Sequence, residues 1–267
     1  MTEPLVRVRR HLAGAGIEAL LVPIADRFQS SPIAAHDQRV AWLTGYQGTA
    51  GLLAISCTRT AFLVGRRDRA EATEQLDPAQ VRILPGTHVS LRDWLTEESG
   101  SNPVRSVGYD PELHTHAAIS ALKSTLAESG LDLRPVPGFI DGLWAEQPPR
   151  PIGRLIEQSE CHAGESGMAK RQRVLAHLRN AGRDCLLVAN PESLAWLLNL
   201  RSDAVPYNPI PHVIGLLDTT GDVSLFTDCP EHPYTDPGHH GVRVIGISEL
   251  ESTLRSLVGN VQYDGSR

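Results

Sequence analysis

The chain has 267 residues, 41% of them hydrophobic and 21% charged, with a formal net charge of −6. That balance excludes a disordered or fibrous protein, and at roughly 150 residues per domain it predicts about two domains, each able to bury its own core. The negative charge argues against a nucleic-acid or anionic-membrane partner, and no apolar run approaches the ~18 residues of a membrane span.

In chain order, Leu5, Val8 and Leu12 recur at helical spacing, and Gly14 and Gly16 stop the helix. Ala19-Leu20-Leu21-Val22 follows as a buried strand ended by Pro23. The same order returns later in the chain. Val174, Leu175 and Leu178 form a helical stripe, Gly182 ends it, and Cys185-Leu186-Leu187-Val188 is the strand. Arg39-Val40-Ala41-Trp42-Leu43 matches Ser193-Leu194-Ala195-Trp196-Leu197, the first being read as a strand. Two apolar runs come next in each half, Gly51 to Ile55 with Ala61 to Val64, and His212 to Leu217 with Val223 to Phe226. Thr58-Arg59-Thr60 and Asp218 to Asp222 read as their hairpin connections. A duplicated unit explains this shared order better than chance does, and hairpins mixed with helices predict a mixed sheet in each half.

The later segments continue the pattern. Val104 to Gly108 is a strand and Ala117 to Ser129 a helix with Ala118, Leu122 and Leu126 on one face. Val242 to Ile245 is a strand, Glu249 to Val258 a helix, and Val261-Gln262-Tyr263 a last strand. Gln147-Pro148-Pro149-Arg150-Pro151 holds an extended linker. The expected fold is α/β, two related domains of mixed sheet flanked by helices, at 1–160 and 161–267.

Several residue groups have chemistry to weigh. Gly45 to Gly51 is glycine-rich, but it enters a strand rather than a helix, so a turn is expected and not a phosphate cradle. Ser166, in Gly164-Glu165-Ser166-Gly167, is expected to cap the helix near Met168 rather than act as a nucleophile. His114 and His116 are expected at the surface. Cys229, His232, His239 and His240 offer zinc-compatible ligand types at a spacing that fits no recognisable site. Cys57, Cys161, Cys185 and Cys229 form no CxxC pair, which argues for a reducing, cytoplasmic compartment. The residues alone describe an α/β protein with no evident catalytic centre and no metal ligand set.

Asp26 to Gly51, reading DRFQSSPIAAHDQRVAWLTGYQGTAG, resembles the first-domain signature of the three-domain Xaa-Pro aminopeptidases (aminopeptidase P) of the creatinase/prolidase pita-bread group. Further matches follow in family order: Gly108-Tyr109-Asp110-Pro111, Ile140 to Trp144, Ala163 to Ser166, Lys170 with Arg171, and Ala195 to Pro209. The resemblance implies two related non-catalytic N-terminal domains. It places the chemistry in a third, C-terminal domain that holds two divalent ions, usually manganese, on two Asp, one His and two Glu. None of those ligands falls within this chain.

The resemblance further implies a protein that removes the N-terminal residue from peptides with proline second, and that is a homodimer. These domains would then serve substrate access, substrate binding and dimerisation. Arg67, in Gly65-Arg66-Arg67-Asp68, aligns with the arginine of the family's Asp-Gly-Arg-Tyr and is the expected substrate-binding residue. Ser30-Ser31-Pro32 stands where the family tends to have Ser-Glu-Tyr, which removes a carboxylate. Arg39 is expected to pair with Asp37 or to face the cleft. Arg201, Asp203, Tyr207 and Asn208 are expected at an interdomain or cleft-facing surface. The altered stretches also admit a second reading, a free-standing interaction module that kept the fold and lost catalysis.

Overall fold

A computed structural model of the chain describes residues 2–97, 104–228, 241–257 and 259–263. It divides into two compact units, Met1–Pro149 and Arg150–Arg267. The division falls inside the proline-rich segment. Residues 150–160, which the sequence assigns to the first domain, go with the second unit because their strand pairs there.

In the first unit, α1 (Glu3–Leu12) buries Leu5, Val8 and Leu12, and Gly16 closes its end at φ 67. Then come β1 (Ala19–Pro23), α2 (Arg39–Thr44), β2 (Leu52–Ser56), β3 (Thr60–Val64), α3 (Arg69–Gln75), β4 (Arg82–Pro85) and α4 (His88–Glu97). The unit finishes with β5 (Ser106–Tyr109), α5 (His116–Ala127) and β6 (Asp132–Pro135). The six strands form one sheet in the order β4-β3-β2-β1-β5-β6. The β1–β2 and β2–β3 pairs are antiparallel, and β3–β4, β1–β5 and β5–β6 are parallel. One face carries Leu20, Val22 and Phe62 under α1 and α2, and the other carries Leu21, Ala54 and Leu63 under Leu91, Trp94 and Leu122. Each strand thus splits its side chains between two cores, as a period of two requires.

The second unit opens with β7 (Leu155–Glu157), α6 (Glu160–Ala163), α7 (Gly167–Asn180), β8 (Cys185–Val188) and α8 (Pro191–Leu197). It continues with β9 (Leu200–Ser202), β10 (Ile214–Asp218), β11 (Val223–Thr227), β12 (Val242–Gly246), α9 (Leu250–Ser256) and β13 (Val261–Tyr263). Five strands order as β12-β11-β10-β8-β13, while β7 and β9 pair separately. The pairings β8–β10 and β10–β11 are antiparallel, and β11–β12 and β8–β13 are parallel. This is the order and direction of β4-β3-β2-β1-β5, so the duplication read in the sequence is a duplication of topology. The registers also match: Ala19 lies opposite Ser56 and Val107, and Cys185 lies opposite Asp218 and Val261. A counterpart of β6 does not occur among the described residues of the second unit.

The Arg39-Val40-Ala41-Trp42-Leu43 segment, read as a strand, is the helix α2, and its partner Ser193 to Leu197 lies in α8. Val40 and Leu43 are three apart and both buried, which suits one helical face. Gly45 at φ 84 ends α2, and Asn190 caps α8, its side chain accepting from Glu192 N and Ser193 N. The left-handed Gly45 cap marks the segment as a helix.

Candidate functional site

Arg67 lies in the turn between β3 and α3, where Asp68 N donates to Gly65 O. Its side chain is 88% exposed, with Nε donating to Asp68 Oδ1 at 3.4 Å. An exposed, weakly held guanidinium can donate to a peptide carbonyl or carboxylate without first losing a strong pair.

Arg39 is tied inside the first unit. Its Nε donates to Asp141 Oδ1 at 2.6 Å, its Nη2 to Asp141 Oδ2 at 2.8 Å, and its Nη1 to Asp37 Oδ1 at 3.0 Å. Arg39 and Asp37 are both buried. Burial on its own would raise the Asp141 carboxyl, but the forked bonds and charge of Arg39 outweigh it and hold Asp141 below the usual carboxylate range. At Asp37 burial prevails over Arg39 and the carboxyl is raised. Of the two expected roles, the ion pair with Asp37 is present, and Asp141, in the motif Ile140 to Trp144, is the stronger partner. Beside it, His36 Nδ1 lies 2.6 Å from Pro148 O, and Gln147 Nε2 donates to His36 O at 3.0 Å. These bonds fasten the segment after Trp144 to the residues before α2.

The glycine-rich stretch serves packing. A Cβ at Gly48 would lie 2.1 Å from Tyr46 Oη, and one at Gly51, whose φ is 144, would lie 2.1 Å from Phe62 Cζ. Glycine lets the backbone cross closely over both rings, which sit 4.7 Å apart. Over this turn lies a small pocket of about 60 Å³, lined by Ser30, Ser31, Pro32, Gln38, Tyr46 and Thr49 among others. The stretch that departs from the family's Ser-Glu-Tyr therefore borders a neutral pocket. The Ser31–Pro32 peptide is cis.

In the second unit Asp203 is held by Arg154, whose backbone N donates to Oδ1 at 2.8 Å and whose Nη2 donates to Oδ2 at 2.8 Å. Those bonds hold the Asp203 carboxyl below its usual value. Arg201, in β9, folds back to donate from Nη1 to Leu200 O at 2.7 Å. Tyr207 is fully exposed at φ 62, and Asn208 Oδ1 accepts from Ile210 N at 3.1 Å in the same tight turn. The four residues are neighbours in one loop system of β9 and the turn after it; Arg67 and Arg39 belong to the other unit.

Sequence reasoning singled out Lys170 as part of a motif but missed the lock around it. This lysine is buried, and its Nζ donates to Asn199 Oδ1 at 2.6 Å and Trp196 O at 3.0 Å, 4.9 Å from the Trp196 ring centroid. Burial lowers its pKa. Asn199 sits at φ 52 and donates to Glu165 O at 2.9 Å. A buried lysine among so few lysines was the available signal. Ser166 caps α7, accepting from Ala169 N at 3.2 Å, as expected of it. His116 is exposed, but His114 is not the surface residue expected. Its Nε2 is buried with no hydrogen-bond partner among the described residues, its ring meets Tyr109 edge-on at 5.8 Å, and burial lowers its pKa to about 4. The short helix at Pro111–Leu113, capped by Asp110, turns it inward.

Cys229, His232, His239 and His240 lie outside the described residues. Among the described residues no group of three or more His, Cys, Asp or Glu side chains is placed to hold a metal ion. No described helix is long and apolar enough to cross a membrane.

Residues 4–143 match the Creatinase/Prolidase N-terminal domain, and residues 146–262 match a second family of the same description. A probable Xaa-Pro aminopeptidase P of Aspergillus niger is 30% identical over 231 residues, covering 85% of this chain and 37% of the relative. The Xaa-Pro aminopeptidase ApepP of Drosophila melanogaster is 30% identical over 260 residues, covering 93% and 42%. The crystal structure of the X-prolyl aminopeptidase from Caenorhabditis elegans, described as a cytosolic enzyme with a di-nuclear active site, superposes with a TM-score of 0.83 at 22% identity, over 95% of this chain and 44% of that one. The chain thus spans about two fifths of the length of these relatives. The described residues do not fit a di-nuclear centre. With both units matched in tandem and sharing one sheet topology, the chain belongs to the creatinase/prolidase N-terminal domain family.

Proposed function

We propose that this chain is the non-catalytic N-terminal pair of domains of an Xaa-Pro aminopeptidase-like metallopeptidase, cytoplasmic and homodimeric, that removes the N-terminal residue from peptides with proline second. The tandem domain match, covering residues 4–143 and 146–262, carries this reading. Hydrolysis belongs to a further domain holding two divalent ions, manganese in this reading. The present residues limit access to the cleft and contribute Arg67, whose exposed guanidinium suits a peptide carbonyl or carboxylate. Arg201, Asp203, Tyr207 and Asn208 form a surface for the neighbouring domain.

The purified 267 residues, given manganese and an Xaa-Pro peptide, are expected to release no amino acid; robust metal-dependent turnover would overturn the reading. The reading frame downstream is expected to encode Asp, Asp, His, Glu and Glu in family order. In that longer protein Arg67→Ala should raise KM about tenfold with kcat little changed, as loss of one charged hydrogen bond predicts. An unchanged KM removes Arg67 from substrate binding.

A further inference from the structure

A buried tyrosine normally finds a partner for its hydroxyl. Tyr46 is 1% exposed and packs on Phe62, yet its Oη has no hydrogen-bond partner among the described residues. Burial raises its pKa, and the carboxylates of Glu71 and Asp68 add to the shift, so the hydroxyl keeps a proton to donate. Oη ends against Gly48, where a Cβ would lie 2.1 Å away, and Tyr46 and Gly48 both line the small pocket over the 45–51 turn. An unpaired donor therefore stands at the wall of a cavity.

The pocket has a closed base and an open mouth. Val40 and Tyr46 are buried, whereas Ser31, Pro32, Gln47 and Thr49 are exposed. Its volume of about 60 Å³ takes roughly four water-sized groups, the size of an asparagine or threonine side chain. The lining residues are all uncharged, so a carboxylate or ammonium entering would lose water without gaining a counter-charge. Both walls are fixed before anything binds. Asp26 Oδ1 accepts from Phe28 N and Ser30 N, each at 2.9 Å, and Gln29 Nε2 donates to Leu113 O at 3.2 Å. On the other side Gln47 N donates to Gln75 Oε1 at 2.8 Å, which ties the turn to α3. Pro23 pairs with Leu52 and Leu52 with Leu63. The loop after β1, the turn before β2 and the turn after β3 that carries Arg67 therefore leave the sheet at one end.

We propose that this pocket is a subsite for one small, uncharged side chain of a peptide, an amide or an alcohol whose oxygen accepts from Tyr46 Oη. That the side chain belongs to a peptide held by Arg67 rests on the function proposed above; the preference of the pocket for an uncharged oxygen acceptor does not. The neutral lining selects against acidic and basic side chains, the volume against aromatic ones, and the hydroxyl against purely aliphatic ones.

Isobutyramide and its charged isostere isobutyrate, titrated at neutral pH into the 267 residues, test the pocket by saturation-transfer NMR. Isobutyramide should bind and move the ring resonance of isotope-labelled Tyr46, and isobutyrate should bind at least about tenfold more weakly. Tyr46→Phe removes only an unpaired hydroxyl, so the fold is kept, and it should weaken isobutyramide about tenfold, as loss of one hydrogen bond predicts. Equal affinity for amide and carboxylate, an affinity untouched by Tyr46→Phe, or a Tyr46 resonance that never moves would overturn the inference. In the longer protein isobutyramide should compete with an Xaa-Pro peptide, raising KM with kcat unchanged. Inhibition that leaves KM unchanged would overturn the assignment to a peptide. Peptide turnover without any amide binding would overturn the inference and leave the proposed function standing. Amide binding in a protein that cleaves no Xaa-Pro peptide would overturn that function and support the pocket's preference.

Discussion

β1 and β8 hold the same place in their sheets and nearly the same residues, Ala-Leu-Leu-Val against Cys-Leu-Leu-Val, yet only β1 is buried along all four. The comparison separates what a strand's sequence decides from what its surroundings decide. Alternation of side chains between two faces is local, and both strands show it. Depth of burial depends on covering elements far along the chain, and at β1 these include α5 and the stretch from Val136 to Leu143.

The largest effect that would sharpen this comparison is expected at Arg39. Arg39→Ala strands two carboxylates inside the first unit and should cost about 4 kcal/mol, as loss of one partner of a buried ion pair does. Urea unfolding followed by the exchange of unit-one peptides would show it, with unit-two peptides unmoved. Next comes a matched pair. Leu21→Ala, at a buried position, should cost about 3 kcal/mol, and Leu187→Ala, at its half-buried equivalent, about 1 kcal/mol. Equal losses would break the comparison outright.

A smaller effect separates the units by pH. Folded His114 protonates only near pH 4, and its unfolded value is 6.5. Its depressed value means that neutral His114 is favoured by folding. The stability it contributes is fully present above pH 6.5 and is lost as the pH falls towards 4, on the order of 2 kcal/mol. His114→Phe should flatten that part of the first unit's stability profile, while the second unit's profile stays as it was. The smallest effect belongs to the second unit's exposed pair: Arg154→Ala should leave the urea midpoint of the second unit nearly unchanged, although Nε and Nη2 both donate to Asp203 Oδ2.

Most of the architecture was legible because it rests on local signals. The stripe of Leu5, Val8 and Leu12, the glycine stops and the apolar runs each fix an element by periodicity and capping. The duplication was legible for the same reason, since repeated local patterns imply repeated topology. The first tryptophan segment was misread as a strand because a short helix of Val, Trp and Leu declares itself only through its caps. The site was less legible. Arg39 pairs with Asp141 across more than a hundred residues, and Lys170 finds Asn199 through a left-handed turn that no pattern announces. His114 was expected at the surface because it stands where the turn after Asp110-Pro111 enters a helix, and tertiary packing half-buries it.

The lock around Lys170 has a practical consequence. The chain has only one other lysine, Lys123, which lies exposed on α5. Amine-directed reagents should therefore label the folded chain at Lys123 and leave Lys170 untouched. Delayed modification of Lys170 would then give a chemical clock for opening of the second unit alone.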